Sequence, residues 1–135
     1  MVGAPVDAAW EALLAVAPEL SGQDASALFA LTGPRVIPVP IGRPPVATMN
    51  VELDPAARSF AMQGGWWYRG VVSVTAHADG SLVRRAIYNI APAPTRWLVA
   101  FVHRHDDGAF RREHGLLLAG LGARLSGPAR LLEEA

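Results

Sequence analysis

Gly64-Gly-Trp-Trp-Tyr-Arg-Gly-Val-Val-Ser-Val-Thr-Ala-His-Ala-Asp-Gly-Ser-Leu-Val-Arg-Arg-Ala-Ile-Tyr-Asn-Ile-Ala-Pro92 is the stretch that decides the fold. It reads as two long β-strands joined at Asp79-Gly80. An Asp-Gly pair between β-branched runs is a hairpin signal, because both central positions of a type I′ turn require positive φ. In the first strand, Trp66, Tyr68, Gly70, Val72, Val74 and Ala76 share one face. Trp67, Arg69, Val71, Ser73, Thr75 and His77 share the other, which is more mixed. That alternation describes a sheet with one buried face, and the chain offers helices at both ends to cover it.

Working outward, Arg58 to Gln63 reads as the preceding strand, with Phe60 and Met62 on one side. Asp54-Pro55-Ala56-Ala57 is a type I turn with Pro at its second position. Val46 to Leu53 forms a further strand, with Ala47, Met49, Val51 and Leu53 on one side. From Arg35 to Pro45 prolines recur at alternate positions and cannot donate to a ladder. That stretch is an edge strand or an extended wrap. Nearer the start, Trp10, Leu13, Leu14 and Ala17 fall at helical spacing between Pro5 and Pro18, with Asp7 in the first turn to complement the helix dipole. Ser21-Gly-Gln-Asp24 has capping-box spacing and opens a short helix through Leu28, Phe29 and Leu31, closed by Gly33-Pro34.

After Pro92 two periods compete. Trp97, Leu98, Phe101, Val102 and His105 fit a helical face, while Trp97, Val99, Phe101 and His103 alternate as in a strand; the helix is the expectation. Asp106-Asp107-Gly108 breaks it. A second helix runs from Ala109 to about Ser126 with Phe110, His114, Leu117, Leu118, Leu121 and Leu125 on one face. Three glycines, Gly115, Gly120 and Gly122, weaken its intrinsic propensity, so tertiary packing must hold it.

The chain has 135 residues, enough for one domain with a sizeable core. Twelve basic residues, all Arg, balance twelve acidic ones. The basic excess of a nucleic-acid binder or of an anionic-membrane binder is therefore missing. With no Cys, disulfides, thiolate metal sites and a Cys nucleophile are excluded. The N-terminal residues lack the basic and apolar regions of a signal peptide. No apolar run approaches the roughly 20 residues of a membrane span, so a soluble cytoplasmic protein is expected.

The order helix, short helix, antiparallel meander, long C-terminal helix resembles the α+β helix-grip fold of the START-like, or SRPBCC, superfamily. Ala4-Pro5-Val6-Asp7-Ala8-Ala9-Trp10-Glu11-Ala12-Leu13 looks like the opening of that group's first helix. Leu53-Asp54-Pro55 followed by Arg58 resembles its mid-sheet turn. Trp67-Tyr68-Arg69-Gly70 through Asp79-Gly80-Ser81 to Tyr88-Asn89 is similar to its paired late strands. Leu117-Leu118-Ala119-Gly120-Leu121-Gly122 looks like the C-terminal helix of small actinobacterial-type members. The likeness spans nearly the whole chain. It departs at the start, where only Met1-Val2-Gly3 stands in place of a first strand, and it lacks the Trp-Pro pair often found after the first helix.

By analogy the resemblance implies a cavity between a curved sheet and the C-terminal helix, used by members for lipids, polyketides or other apolar ligands. The expected lining is Trp10, Phe60, Met62, Trp66, Tyr68, Arg85, Tyr88, Phe101, His114, Leu117 and Leu121. Within it, Tyr68 and Tyr88 either orient a ligand oxygen or are core phenols bonded to backbone. Arg69 and Arg85 are read as sharing one face across the hairpin, where a cation suits a carboxylate or enolate, or else as a solvated outer face. His114 on the apolar stripe is either a base or ligand contact, or a satisfied structural residue. His103 and His105 beside Asp106 and Asp107 are read as a solvated helix end, since residues two apart on a helix diverge; the second reading is a metal site, for which a strand and a third ligand would be needed. His77, beside the turn, is expected to be exposed.

No phosphate loop, nucleophile elbow, His-Glu-x-x-His or dinucleotide fingerprint occurs, so neither a metal nor a cofactor is expected. Two alternatives to simple ligand binding stand. One is a polyketide cyclase or dehydratase type of enzyme, which needs polar groups such as Arg85, Tyr88 and His114 to converge. The other is a ligand-free homodimer module joined through the sheet face bearing Trp67 and Val71.

Overall fold

The computed structural model describes residues 1–41, 47–64, 68–102 and 107–125. Five antiparallel strands form a meander in sequential order: β1 (Arg35–Ile41), β2 (Ala47–Asp54), β3 (Ser59–Gly64), β4 (Tyr68–His77) and β5 (Gly80–Asn89). Among the described residues four α-helices accompany them: α1 (Val6–Val16), α2 (Ala25–Phe29), α3 (Ala93–Val102) and α4 (Asp107–Leu125). The class is therefore α+β. A 3-10 turn at Pro18–Leu20 follows α1.

Strand register carries one apolar face across the whole sheet. Ile37 pairs with Val51, Val51 with Met62, and Met62 with Gly70. In the next row Leu53, Phe60, Val72 and Arg85 lie side by side, and beyond it Val74 faces Val83. Helix α1 lies against β4 and β5 with Ala9, Trp10, Ala12, Leu13 and Leu14 buried, the i, i+3, i+4 spacing of one helical stripe. The core lies between that stripe and the sheet. Prolines 38 and 40 sit on β1, an edge strand, where a missing N–H costs no ladder bond.

Two turns differ from the sequence reading. The β4–β5 turn centres on Ala78-Asp79, because His77 pairs with Gly80, and neither central residue has positive φ. Gly80 opens β5 instead, at φ 139°, and its lack of a Cβ is required by the N-terminal segment. A Cβ there would collide with the carbonyl oxygen of Val2 and stand 2.8 Å from the Ala4 nitrogen. His77 is half-buried rather than exposed, and its Nδ1 accepts the Asp79 N–H at 3.2 Å. At α2 the cap is Asp24, not Ser21. Its Oδ1 accepts from the Ser26 and Ala27 N–H groups at 3.1 and 3.4 Å, the pattern of a single N-cap carboxylate.

The segment before α1 forms one antiparallel bridge with β5. Val2 and Ser81 exchange both backbone hydrogen bonds at 2.8 Å, and the buried Ser81 hydroxyl donates to the Ala4 carbonyl at 2.6 Å. A single bridged residue thus ties the N-terminal segment to β5. At the other end of the hairpin, residues 93–102 are helical, as the 3.6-residue period suggested. The Asn89 amide donates to the Arg96 carbonyl at 2.9 Å and fastens the start of α3. The apolar face of α3 is not buried, however: Trp97, Leu98 and Phe101 are exposed.

Candidate functional site

Helix α4 packs chiefly on α1, with Leu117, Leu118 and Leu121 buried at the contact. Gly120 sits at this contact, where a Cβ would stand 3.9 Å from the Val16 Cβ, an ordinary van der Waals distance. Because α4 leans on α1 instead of lying flat on the sheet, a gap remains between it and strands β1–β3. That gap is a cavity of about 690 Å³, partly open to solvent. Its walls are Val39 and Pro40 of β1, Met49 and Val51 of β2, and Met62 of β3. Val16, Leu116, Leu117 and Gly120 close it from the helical side.

The polar part of the wall comes from three separate elements. Arg85 enters from β5, Glu19 from the turn after α1, and Glu113 from α4. Arg85 lies in the apolar row beside Val72, so its guanidinium points to the core side of the sheet. A cation there loses its hydration and needs a close counter-charge. Glu19 supplies it at 2.9 Å, and the two side chains are only 10% and 9% exposed. Glu113, on the exposed surface of α4, stands 3.8 Å from the other terminal nitrogen of Arg85.

The pair does not use all its hydrogen-bonding capacity. Arg85 Nε and Glu19 Oε2 are buried without a partner among the described residues, and so is His114 Nδ1. His114 is half-buried on α4, next to Glu113. Burial, then the nearby Arg85 guanidinium and the amino terminus, hold its pKa below the ordinary 6.5, against an opposing backbone interaction with Val83. Its imidazole is therefore neutral at neutral pH.

The structure divides the eleven residues read as lining. Met62, Arg85 and Leu117 stand in the cavity wall. His114 stands behind it, within electrostatic reach of Arg85. Trp10, Phe60 and Leu121 are buried in the packed core between helix and sheet and do not reach the cavity. Tyr68 lies in β4, its side chain outside the described residues, as are Trp66, His103 and His105.

Tyr88 and Phe101 are corrections. Tyr88 is 53% exposed on the outer face of the sheet. It pairs with Arg69, and residues three apart on a strand point to opposite sides, so Tyr88 and Arg85 cannot share a cavity. Phe101 is exposed on α3. The same parity separates the two arginines: Arg69 faces outward, binding Glu52 at 2.8 Å, while Arg85 faces inward. Arg69 and Glu52 edge a shallower hollow of about 490 Å³ on that outer face, together with Val71.

Sequence reasoning missed Glu19 altogether. Its only local signal was an acidic residue directly after Pro18, at the end of an apolar helix whose neighbours Ala17 and Leu20 are buried. No family model matches the chain, and no curated protein or solved structure is significantly similar to it.

Proposed function

We propose that this chain binds a small, largely apolar molecule in the cavity between the sheet and α4, the use implied by its resemblance to helix-grip proteins of the START-like superfamily. The observation that carries the reading is the cavity itself. Its volume of about 690 Å³ lies within the roughly 300–1,000 Å³ of small-molecule sites. Its walls join apolar side chains from three strands and two helices to a single polar cluster. Apolar walls with a few convergent polar groups are the usual composition of a ligand pocket. Within the helix-grip reading, the Val2–Ser81 bridge takes the place of the first strand.

Native mass spectrometry of the purified protein, with extraction of whatever accompanies it, tests this. The expected result is an added mass that dissolves into organic solvent. It should disappear in Met62→Trp, which fills the space between β3 and α4 with a larger side chain. Retention of the added mass by a folded Met62→Trp variant would place the molecule elsewhere and overturn the proposal.

One observation favours a second reading, an enzyme of the polyketide cyclase type. Arg85 and Glu19 meet at the cavity wall with the neutral His114 behind it, within electrostatic reach of Arg85; an imidazole can take a proton and a guanidinium can stabilise an oxyanion. Conversion of the extracted molecule on prolonged incubation, lost in His114→Gln while binding persists, distinguishes this from binding alone.

A further inference from the structure

Sulfur in the cavity wall gives the site a second property, which rests on the cavity being a ligand site. We propose that Met49 and Met62 form a sulfoxidation site: a peroxide entering the cavity oxidises both thioethers, and the polar wall that results no longer holds an apolar occupant.

The chain has three methionines and no cysteine, so thioethers are the sulfur it offers an oxidant. Met1 is buried and stands outside the cavity wall. Met49 and Met62 are only partly buried, and both line the cavity, which is open to solvent on one side. Strand parity turns both inward. Met62 pairs with the buried Val51, and Met49 lies two residues before Val51 on β2 and so on the same face. At Met62, β3 is paired with β2 on one side and β4 on the other, so what this residue exposes belongs to its side chain. Its β4 neighbour is Gly70, which has no side chain to cover the thioether. Met49 sits diagonal to Met62 across the β2–β3 pair, within the reach of long side chains, and the two make one stretch of wall.

Hydrogen peroxide is the only co-reactant the step needs. A sulfur lone pair attacks one peroxide oxygen, and an S–O bond forms as the O–O bond breaks. A proton passes from the transferred oxygen to the departing hydroxide, which leaves as water. Sulfur gives up two electrons and the peroxide takes them. The sulfoxide that remains is polar, and its oxygen accepts hydrogen bonds. The rest of the apolar wall, Val39, Val51, Leu116 and Leu117, has no side-chain donor to offer it. The new oxygen therefore keeps its water, and an apolar molecule enters only by stripping that water away, which costs affinity. Oxidation also removes the soft, adaptable contact that a thioether gives a ligand.

The test exposes the folded full chain to limiting hydrogen peroxide, locates the added oxygen by peptide mass spectrometry, and titrates decanol, followed by the amide shifts of Val51 and Leu117. One oxygen is expected on each of Met49 and Met62 before any on Met1. Decanol binding should weaken about tenfold or more, the factor set by one polar group without a partner. Methionine sulfoxide reductases of both stereospecificities should restore it. The double variant Met49→Leu, Met62→Leu nearly conserves volume; it should bind decanol like the parent and keep that affinity through peroxide. Oxidation of Met1 ahead of the other two would overturn the proposal. So would full oxidation of Met49 and Met62 with decanol affinity unchanged, or an equal loss of affinity in the leucine variant. Unfolding on oxidation would overturn it too, since the two sulfurs would then serve the core and not the cavity. Failure of decanol to bind the untreated parent is a different result: it removes the cavity reading, and the loss-of-occupant claim with it, while the order of oxidation still decides whether the two thioethers are open to solvent.

Discussion

The two faces of the sheet each carry an arginine–glutamate pair with nearly the same bond length, and they are different objects. On the outer face Arg69 meets Glu52 at 2.8 Å, with the side chains 31% and 56% exposed. On the inner face Arg85 meets Glu19 at 2.9 Å, with both about nine-tenths buried. The outer pair joins neighbouring parts of the sheet across 17 residues of sequence, while the inner pair ties β5 to the turn after α1. Water screens the outer charges whether or not they meet. The inner charges have little but each other, and two of their atoms are buried without a hydrogen-bond partner among the described residues. Distance alone does not tell the value of an ion pair; what surrounds it does.

The largest effect that tests this contrast is removal of one inner partner. In Glu19→Leu the Arg85 guanidinium stays in the apolar row beside Val72 with, among the described residues, only the more distant Glu113 to face it. Breaking a buried pair in this way costs about 3–5 kcal/mol, read as a lower denaturation midpoint in urea. Replacing both partners, Glu19→Leu with Arg85→Met, should recover most of that loss, because the desolvation of two charges disappears along with their attraction. If the single variant is as stable as the parent, Arg85 reaches solvent and the two faces are alike.

His114 gives an intermediate effect of a different kind, since it is felt only in acid. Its folded pKa is lowered, first by burial and then by Arg85 and the amino terminus. The folded state therefore binds fewer protons than the unfolded state once pH falls below about 6.5, the unperturbed value. The stability that goes with a neutral imidazole is fully present above that pH. It drains as pH falls toward the folded pKa, then levels off. His114→Gln should flatten this portion of the stability curve and leave the region above it unchanged. A parent curve that is flat across this window, or identical in the variant, would mean that the inner side is no drier at His114 than the outer face.

How far the sequence foretold these faces depends on range. The meander, the Asp54-Pro55 turn, the edge position of the proline-bearing β1 and the apolar stripe of α1 were all legible, because each is written in neighbouring residues. Helix α3 was legible as a helix but not as an exposed one; its period shows in the sequence, whereas the exposure of Trp97, Leu98 and Phe101 depends on how the chain packs. In β5 both parities carry apolar residues and one arginine each, Leu82, Arg84, Ala86 and Tyr88 against Val83, Arg85, Ile87 and Asn89. Only pairing with Val72 and Val74 decides that Val83 and Arg85 turn inward. The two-residue turn makes odd positions of one strand face even positions of the other, which by itself puts Arg69 and Arg85 on opposite faces without saying which is the inner one. Glu19 was beyond reach, because what makes it a site residue is a partner 66 positions away.

The smallest effect belongs to the outer pair, and it is informative for being small. Glu52 is more than half exposed, and Arg69 is about a third exposed. Their attraction is screened by water and offset by the entropy of holding two long side chains still. Glu52→Gln keeps the shape of the side chain and the strand while removing the charge. The expected loss is below about 1 kcal/mol, and it should shrink further in concentrated salt, where the screening length falls to a few ångströms. Stability of the Glu19→Leu variant relative to parent should respond far less to salt, since ions do not enter a buried pair. Urea titrations of both variants at low and high salt put the two faces on one scale. A loss in Glu52→Gln of 2 kcal/mol or more on the order of a buried bond, unmoved by salt, would mean that the outer hollow by Arg69 and Val71 is shielded from water in solution. The covering of that face, not the cavity, would then become the first thing to explain.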